Sequence, residues 1–228
     1  MQDKENIVIS LGGSMIVPSS PDANFVVKFK NLILEWVKKS KKFYIITGGG
    51  KTCRNYNDSL KNIINPTNEE LDWLGISATR LNAEFIRICF EDQAYERIIL
   101  DPDIVPVTDK PILIGGGWKP GNSSDLAAVH IAKSTGATKV INISNIDYVY
   151  DSDPKINPNA KKFENLAWHD YRSMIAGEWN PGMNLPFDPI ASKEAEELGL
   201  ELAFISGHNL ESLDNYIAGD SFVGTTIK

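Results

Sequence analysis

Cysteine is nearly absent. The 228-residue chain has two, Cys53 and Cys89, far apart in sequence. That excludes a disulfide framework and leaves too few thiols for a cysteine-based zinc site. Cys53, just past a glycine run, reads as a small residue on the first turn of a helix, with a reactive thiol as the alternative. Positive charge is also scarce. With 23 Lys and Arg against 30 Asp and Glu, a net charge of −7, the chain lacks the basic face that a nucleic acid or an anionic membrane would require. No apolar run approaches the roughly 18–20 residues of a membrane span, and the opening MQDKENIVISLGG is too polar for a secretory signal. The expectation is a soluble, cytoplasmic protein that binds neither nucleic acid nor membrane. Histidine is limited to three, His130, His169 and His208, and no Ser–His–Asp arrangement is apparent. Neither GxxxxGK[ST] nor a GxGxxG after the first apolar run is found, so the common nucleotide-binding signatures are excluded.

What remains is 42% hydrophobic, enough for one substantial core in one domain or two tightly joined lobes. Apolar runs alternate with helical periodicity. NIVIS (6–10), FYIIT (43–47), RIIL (97–100), PILIG (111–115), KVINIS (139–144) and LELAFIS (200–206) read as strands, and FVGTTI (222–227) as an edge strand. Helices are expected over 25–39, 52–64, 123–136 and 189–199. Another opens at the capping box Thr67–Glu70, with Leu71, Leu74, Ala78, Leu81, Phe85 and Ile88 on one face. Ser123 or Ser124 would cap the 123–136 helix and Gly136 close it. Residues 145–159, rich in Asp, Asn, Pro and Tyr, read as a long loop or hairpin. Strands separated by helices imply right-handed crossovers, hence an open α/β sandwich with a mostly parallel sheet.

Three of these strands stop on glycine clusters: Gly12–Gly13, Gly48–Gly49–Gly50 and Gly115–Gly116–Gly117. They hold eight of the 17 glycines. In a parallel sheet, ligands lie in the crevice beyond the carboxyl ends of the strands. Glycine lets main-chain N–H groups approach an anion there, and the helix that follows adds its positive end. Three clusters on one rim suggest a polyphosphate, or two phosphorylated ligands meeting end to end. The plain alternative is that each is only a tight strand-to-helix turn.

The ordered set ISLGGSMIVP (9–18), TGGGKTCRNY (47–56), DWLGISATRLNAEF (72–85), PGNSSDLAA (120–128), SNIDYVYDSDPKINPNAKKF (144–163), FDPIASK (187–193) and GTTI (224–227) resembles the amino acid kinase family. Within it, the likeness is to the archaeal type of uridylate kinase, and it covers essentially the whole chain. The resemblance implies a three-layer αβα sandwich in a single domain over 1–228. Its acceptor part would lie mainly in 1–135 and its ATP part mainly in 136–228. It further implies transfer of the γ-phosphoryl of ATP to UMP, with Mg²⁺ held through the ATP phosphates and no metal ligand from the protein, in a homo-oligomer, usually a hexamer. Gly13, Ser14, Gly50, Arg54, Ser144, Tyr150 and Asp153 would bind ATP. Gly49, Asp72, Gly117, Pro120, Gly121, Asn122, Ser123 and Ser124 would bind UMP, and Thr79, Arg80 and Asn82 match a segment near the acceptor. A carboxylate at Asp72 suits a ribose diol because it only accepts hydrogen bonds.

The chain departs from the family pattern in several places. Ser10 stands where many members have lysine, and a second family lysine would fall near Leu185. Transition-state charge would then come from Lys51, Arg54, Lys193 and Mg²⁺, with Lys51 the first choice. Otherwise Lys51 is a solvated first-turn lysine, Arg54 a solvated helix residue and Asp72 an exposed helix-start residue. Tyr148 replaces a family glycine, which would be strained if that position requires positive φ. Trp118 reads as an insertion in the acceptor loop. Alternatives that stay open are a family kinase with another phosphate or carboxylate acceptor, and a non-catalytic protein that binds a nucleotide or, like the molybdenum-storage subunits, an oxyanion.

Overall fold

The computed structural model describes residues 5–152, 154, 156–175 and 186–228. The elements run β1 (Glu5–Leu11), α1 (Gly13–Ile16), α2 (Ala23–Lys38), β2 (Lys41–Thr47), α3 (Gly50–Ile63), α4 (Asn68–Cys89), β3 (Ile112–Gly115), α5 (Ser124–Thr135) and β4 (Lys139–Ser144). They continue with β5 (Val149–Tyr150), β6 (Lys162–Phe163), β7 (Asn165–Leu166), α6 (Trp168–Met174), α7 (Pro189–Glu197), β8 (Glu201–Ser206), α8 (Leu210–Ala218) and β9 (Thr225–Ile227). Seven strands form one sheet in the order β3-β2-β1-β4-β8-β9-β7. The run from β3 to β8 is parallel, and β9 is antiparallel to β8. Val149 and Tyr150 pair with Phe163 and Lys162 in a separate two-stranded ribbon, whose second strand lies just beyond the 145–159 stretch read as a loop or hairpin.

Alternation along each strand divides the core in two. Ile7, Ile9, Leu11, Ile141 and Ile143 face α2, α4 and α8, where Phe29 and Ile33 are fully buried. Val8, Val140, Leu202 and Phe204 face the opposite layer, built from Ala128, Ala132, Trp168, Tyr171 and Ala191. Period-2 side-chain direction thus makes the sheet apolar on both faces, and the result is the three-layer αβα sandwich. Local signals hold at several ends. Asp22 caps α2 by accepting from the Phe25 amide, and Thr67 and Glu70 complete the capping box of α4. Ser123 caps α5, and Gly136, at φ +69°, closes it. Among the described residues, no helix is long and apolar enough to cross a membrane.

Three expectations are corrected. RIIL forms no named strand; Ile99 makes only an isolated bridge to Gly115. FVGTTI is shortened to β9 and is not the edge, because β7 pairs outside it. The buried side of α4 is Leu71, Ile76, Ala78, Asn82, Ala83 and Ile86, whereas Leu81 and Ile88 are 62% and 58% exposed. A reading by hydrophobicity favours Leu81 and Ile88; the fold instead buries Ile76, Ile86, the small Ala78 and Ala83, and the amide of Asn82, which meets the Gly48 carbonyl. Helices α1, α6 and α8 were not foreseen.

Candidate active site

Strands β3, β2 and β1 are consecutive neighbours, so their carboxyl ends and the three glycine turns lie side by side. At Gly13, Gly48 and Gly50 the first thing to approach is another glycine's backbone. A Cβ on Gly13 would fall 2.0 Å from the Gly50 nitrogen and 2.6 Å from the Gly48 carbonyl carbon. One on Gly50, itself at φ +62°, would fall 2.3 Å from the Gly13 oxygen. The contact is sealed by hydrogen bonds from the Gly48 amide to the Leu11 oxygen (2.9 Å) and from the Lys51 amide to the Val17 oxygen (3.0 Å). Backbone-to-backbone packing therefore accounts for these glycines before any ligand is invoked. Its consequence is that α1 and α3 start from one point. Among the described residues, the amides of Gly13, Ser14, Gly49 and Gly50 donate to no carbonyl. They are the unpaired donors every helix start presents.

Helix α4 clamps the rim from one side. Asn82, buried, donates to the Gly48 oxygen at 2.7 Å. Thr79 accepts from the Gly117 amide at 2.6 Å, and Thr47 donates to the Thr79 oxygen at 2.9 Å. Arg80 donates to the oxygens of Gly117 (3.1 Å) and Trp118 (2.9 Å). A Cβ on Gly116 would meet the Arg80 backbone at 3.0 Å, so a side chain there would press on α4. Asp72, nearer the start of α4, accepts from the Gly121 amide at 2.7 Å through Oδ2. The loop from Gly117 to Ser124 is thus held at three points by one helix. Thr79, Arg80 and Asn82 position the loops.

Within that loop Gly121 takes φ +78°. The Asn122 side chain folds back to donate to the Pro120 oxygen at 3.0 Å. Ser123 accepts from the Leu126 amide at 3.1 Å, and Ser124 opens α5. Trp118 packs on His130, with ring centroids 5.0 Å apart, and Lys119 lies over the Trp118 ring. His130 itself sits between Asp103 (2.7 Å) and Glu194 (3.1 Å).

The three expected cations divide. Lys51, partly exposed, and Arg54, exposed, follow the triple glycine on the first turns of α3. Neither makes an ion pair among the described residues. Lys193 is on α7, exposed, with Glu197 of the same helix at 3.9 Å. The structure shows no contact between it and the glycine rim. Burial holds the Cys53 thiol above its ordinary range, with Arg54 only partly offsetting the effect. Its Cβ lies 2.6 Å from where a Gly49 side chain would begin, so it is the packed first-turn residue that was expected.

On the other half of the rim, Ser144 ends β4, and its carbonyl accepts from the Gly207 amide at 2.8 Å. Tyr150 meets Tyr148 edge to face at 6.4 Å. Tyr148 is not strained: the positive-φ residues other than glycine among those described are Ser40 and Glu91. Asp153 and Leu185 lie outside the described residues.

Beneath the rim is a group that the sequence did not single out. Asp125, on the first turn of α5, accepts from the Ser10 hydroxyl (2.8 Å) and the Asn142 amide (3.1 Å) through Oδ1. Through Oδ2 it accepts from the Asp188 amide at 3.3 Å. Asp188 caps α7 by accepting from the Ala191 amide at 2.7 Å. Burial, opposed by the Ser10 hydrogen bond and aided by the nearby Asp188 charge, pushes Asp125 up to about 7. It keeps a small solvent-accessible edge. Burial also raises Asp188.

The geometry gathers bare amides, helix starts and, among the described residues, cations without an ion pair at the carboxyl end of a parallel sheet. Residues 5–206 match the family model described as Amino acid kinase family. The chain is 31% identical over 225 residues to a uridylate kinase of Pyrococcus abyssi (strain GE5 / Orsay), covering 97% of this chain and 99% of that one. It is 30% identical over 224 residues to a uridylate kinase of Methanospirillum hungatei JF-1, covering 97% and 94%. Among solved structures, the uridylate kinase from Archaeoglobus fulgidus superposes with a TM-score of 0.80 at 27% identity, covering 97% of this chain and 99% of that one. The chain belongs to the amino acid kinase family.

Proposed function

We propose that the protein transfers the γ-phosphoryl group of ATP to the phosphate of UMP, giving UDP and ADP. The observation that carries this is the joining of two loops on one clamp. Helix α4 fixes both the triple-glycine turn, through Asn82, and the 117–124 loop, through Thr79, Arg80 and Asp72. A donor triphosphate and an acceptor phosphate can then meet over the same turn. The curated relatives, named as uridylate kinases over nearly the full length of both chains, support the acceptor.

In this reading Gly13, Ser14 and Gly50 offer amides to the ATP phosphates, and Ser144, Tyr150 and Asp153 line the adenosine side. Gly49, Gly117, Pro120, Gly121, Asn122, Ser123 and Ser124 surround UMP. Asp72 keeps Oδ1 for the ribose hydroxyls while Oδ2 holds the loop. Lys51 and Arg54 supply fixed positive charge to a transition state whose charge is spread over oxygens; Lys193, turned to solvent, is the weakest of the three. The nucleophile is an ionised phosphate, so no general base is required, consistent with His130 being occupied by two carboxylates. Mg²⁺ entering with ATP supplies further charge neutralisation, and the free amides and hard oxygen donors of the rim fit a metal–triphosphate. The acceptor part corresponds to 1–135 and the donor part to 136–228 of one domain. Exposed Tyr56, Ile63, Trp73, Leu81 and Ile88 on α3 and α4 support assembly into a homo-oligomer, a hexamer by family likeness.

A coupled ADP-release assay with UMP, CMP, dTMP and acetylglutamate, with and without Mg²⁺, tests the reading. UMP with Mg²⁺ should be turned over best. Turnover of acetylglutamate in preference to every nucleotide, or of nothing, overturns it.

A further inference from the structure

His130 stands outside the rim yet joins three segments of the fold. Its side chain, 14% exposed, leaves α5 and sets Nδ1 2.7 Å from Asp103 and Nε2 3.1 Å from Glu194 on α7. Asp103 is itself tethered. Its amide donates to Asp101 at 3.0 Å, and Ser134 of α5 donates to the adjoining Pro102 oxygen at 3.0 Å. A carboxylate only accepts hydrogen bonds, whereas a neutral imidazole has one N–H and one bare lone pair. A neutral ring here satisfies one partner and sets a lone pair against the other. With both nitrogens protonated it donates to each, and its charge lies between two opposite ones. The arrangement fits the imidazolium. The remaining charges around it are few. Lys119 lies over the Trp118 ring that His130 touches, Lys133 is exposed one turn along α5, and Lys193 on α7 turns to Glu197.

The two hydrogen bonds fix the plane of the imidazole, and Trp118 packs on that fixed surface with its ring centroid 5.0 Å away. Within about 6 Å an indole face also attracts a cation, a pull that the neutral ring lacks. Trp118 belongs to the loop from Gly117 to Ser124. Helix α4 holds the backbone of that loop, through Arg80 on the Gly117 and Trp118 oxygens and Asp72 on the Gly121 amide. The Trp118 ring meets α5 instead, so the loop is seated between two helices. Loss of one proton at His130 turns a hydrogen bond into acceptor against acceptor, frees the ring and removes the support under Trp118.

We propose that His130 is a positioning residue for the acceptor: doubly protonated between Asp103 and Glu194, it seats Trp118 and so holds the 117–124 loop in the conformation that receives UMP. That role rests on the kinase reading given above; the seat itself does not. The sign follows from the proton, which is bound in the seated state. Acid favours the seat, and a rise in pH through the histidine range weakens the hold on the acceptor while leaving the donor unaffected.

An optical and a kinetic measurement test it. A protonated imidazole in contact with an indole quenches its emission far more than a neutral one. The emission of Trp118, taken in nucleotide-free protein as wild type minus Trp118→Phe, should rise between about pH 6 and about pH 9. In His130→Gln the same component should stay level. The KM for UMP of His130→Gln, divided by that of the wild type, should be about five at about pH 6 and fall toward one at about pH 9. Ionisation of the UMP phosphate is common to both proteins and cancels from this ratio. The kcat and the KM for ATP should stay within about twofold, the pattern of a group that acts on acceptor binding alone. A merely structural role gives a ratio that does not change with pH. In Glu194→Gln the new carboxamide can donate to the bare nitrogen, so neutral His130 keeps both partners. That variant should match the wild type at about pH 6 and show a UMP KM about fivefold lower than the wild type at about pH 9. Should His130→Gln fail to fold, Glu194→Gln against the wild type decides alone. A ratio independent of pH, or Trp118 emission indifferent to His130, overturns the proposal. UMP turnover with a flat ratio keeps the kinase reading and removes this role. If the wild type turns over no acceptor, the kinase reading fails and the emission titration alone keeps or removes the seat.

Discussion

Asn82 is the sharpest point at which to press on the clamp. Its side chain is 3% exposed, and its Nδ2 donates to the Gly48 oxygen at 2.7 Å across 34 residues of chain. Replacing it with alanine leaves a buried carbonyl without a donor, which costs about 1–3 kcal/mol. A small void adds about 1 kcal/mol more. The sum, about 2–4 kcal/mol, corresponds in a domain of this size to a melting temperature lower by about 5–12 °C. Asn82→Leu is the more searching variant. It roughly preserves volume, so the void contribution vanishes, yet it offers no donor. If the hydrogen bond is what matters, Leu should destabilise nearly as much as Ala; if filling space is what matters, Leu should be nearly neutral. Differential scanning calorimetry, with circular dichroism to confirm the fold, separates the two. A shift under 2 °C for both variants refutes the view that α4 holds the triple-glycine turn through this amide.

Asp72→Ala should weaken UMP by about tenfold or more, the worth of a charged hydrogen bond, while leaving ATP affinity within twofold; equal losses in calorimetric titrations of the two ligands would reject its assignment to the acceptor. Lys51→Ala should lower kcat by about a hundredfold or more with little change in the Kd of either nucleotide, and an unchanged kcat would move the transition-state charge elsewhere. Cys53 should be alkylated by iodoacetamide more slowly than glutathione at pH 8. Its raised pKa keeps it a thiol through neutrality, so the rate should climb only as pH rises past the ordinary cysteine range. A rate at pH 7 above that of glutathione would contradict the burial that raises it.

Much of the architecture was legible because it rests on local rules. Period-2 runs marked the central strands, the Thr67–Glu70 pair marked the start of α4, and Ser123 with Gly136 bounded α5. Glycine spacing located the rim. The reason for the glycines was not legible, since contact between Gly13 and Gly50 joins positions distant in sequence. For the same reason the buried face of α4 was misread: that Asn82 belongs inside depends on a carbonyl that only the fold brings there. The Asp125 group was invisible because its members come from β1, α5, β4 and the cap of α7. Two cues were available, a serine in place of a lysine and an aspartate just inside the NSSD helix start. Only the packing of α5 against β1 makes them neighbours.

The interlocked glycines also set where such a protein can change. A methyl group at position 13 collides with the turns of positions 48 and 50 together, and one at 50 collides with 13. These turns are in effect a single unit written in separate parts of the gene, so no one-step substitution can adjust them. The tip around Gly121, by contrast, has open space, although Gly121 itself is held to glycine by its φ of +78°. Variation in what the enzyme accepts, whether by drift or by directed evolution, should accumulate in residues 118–120 and 122 and leave the rim untouched.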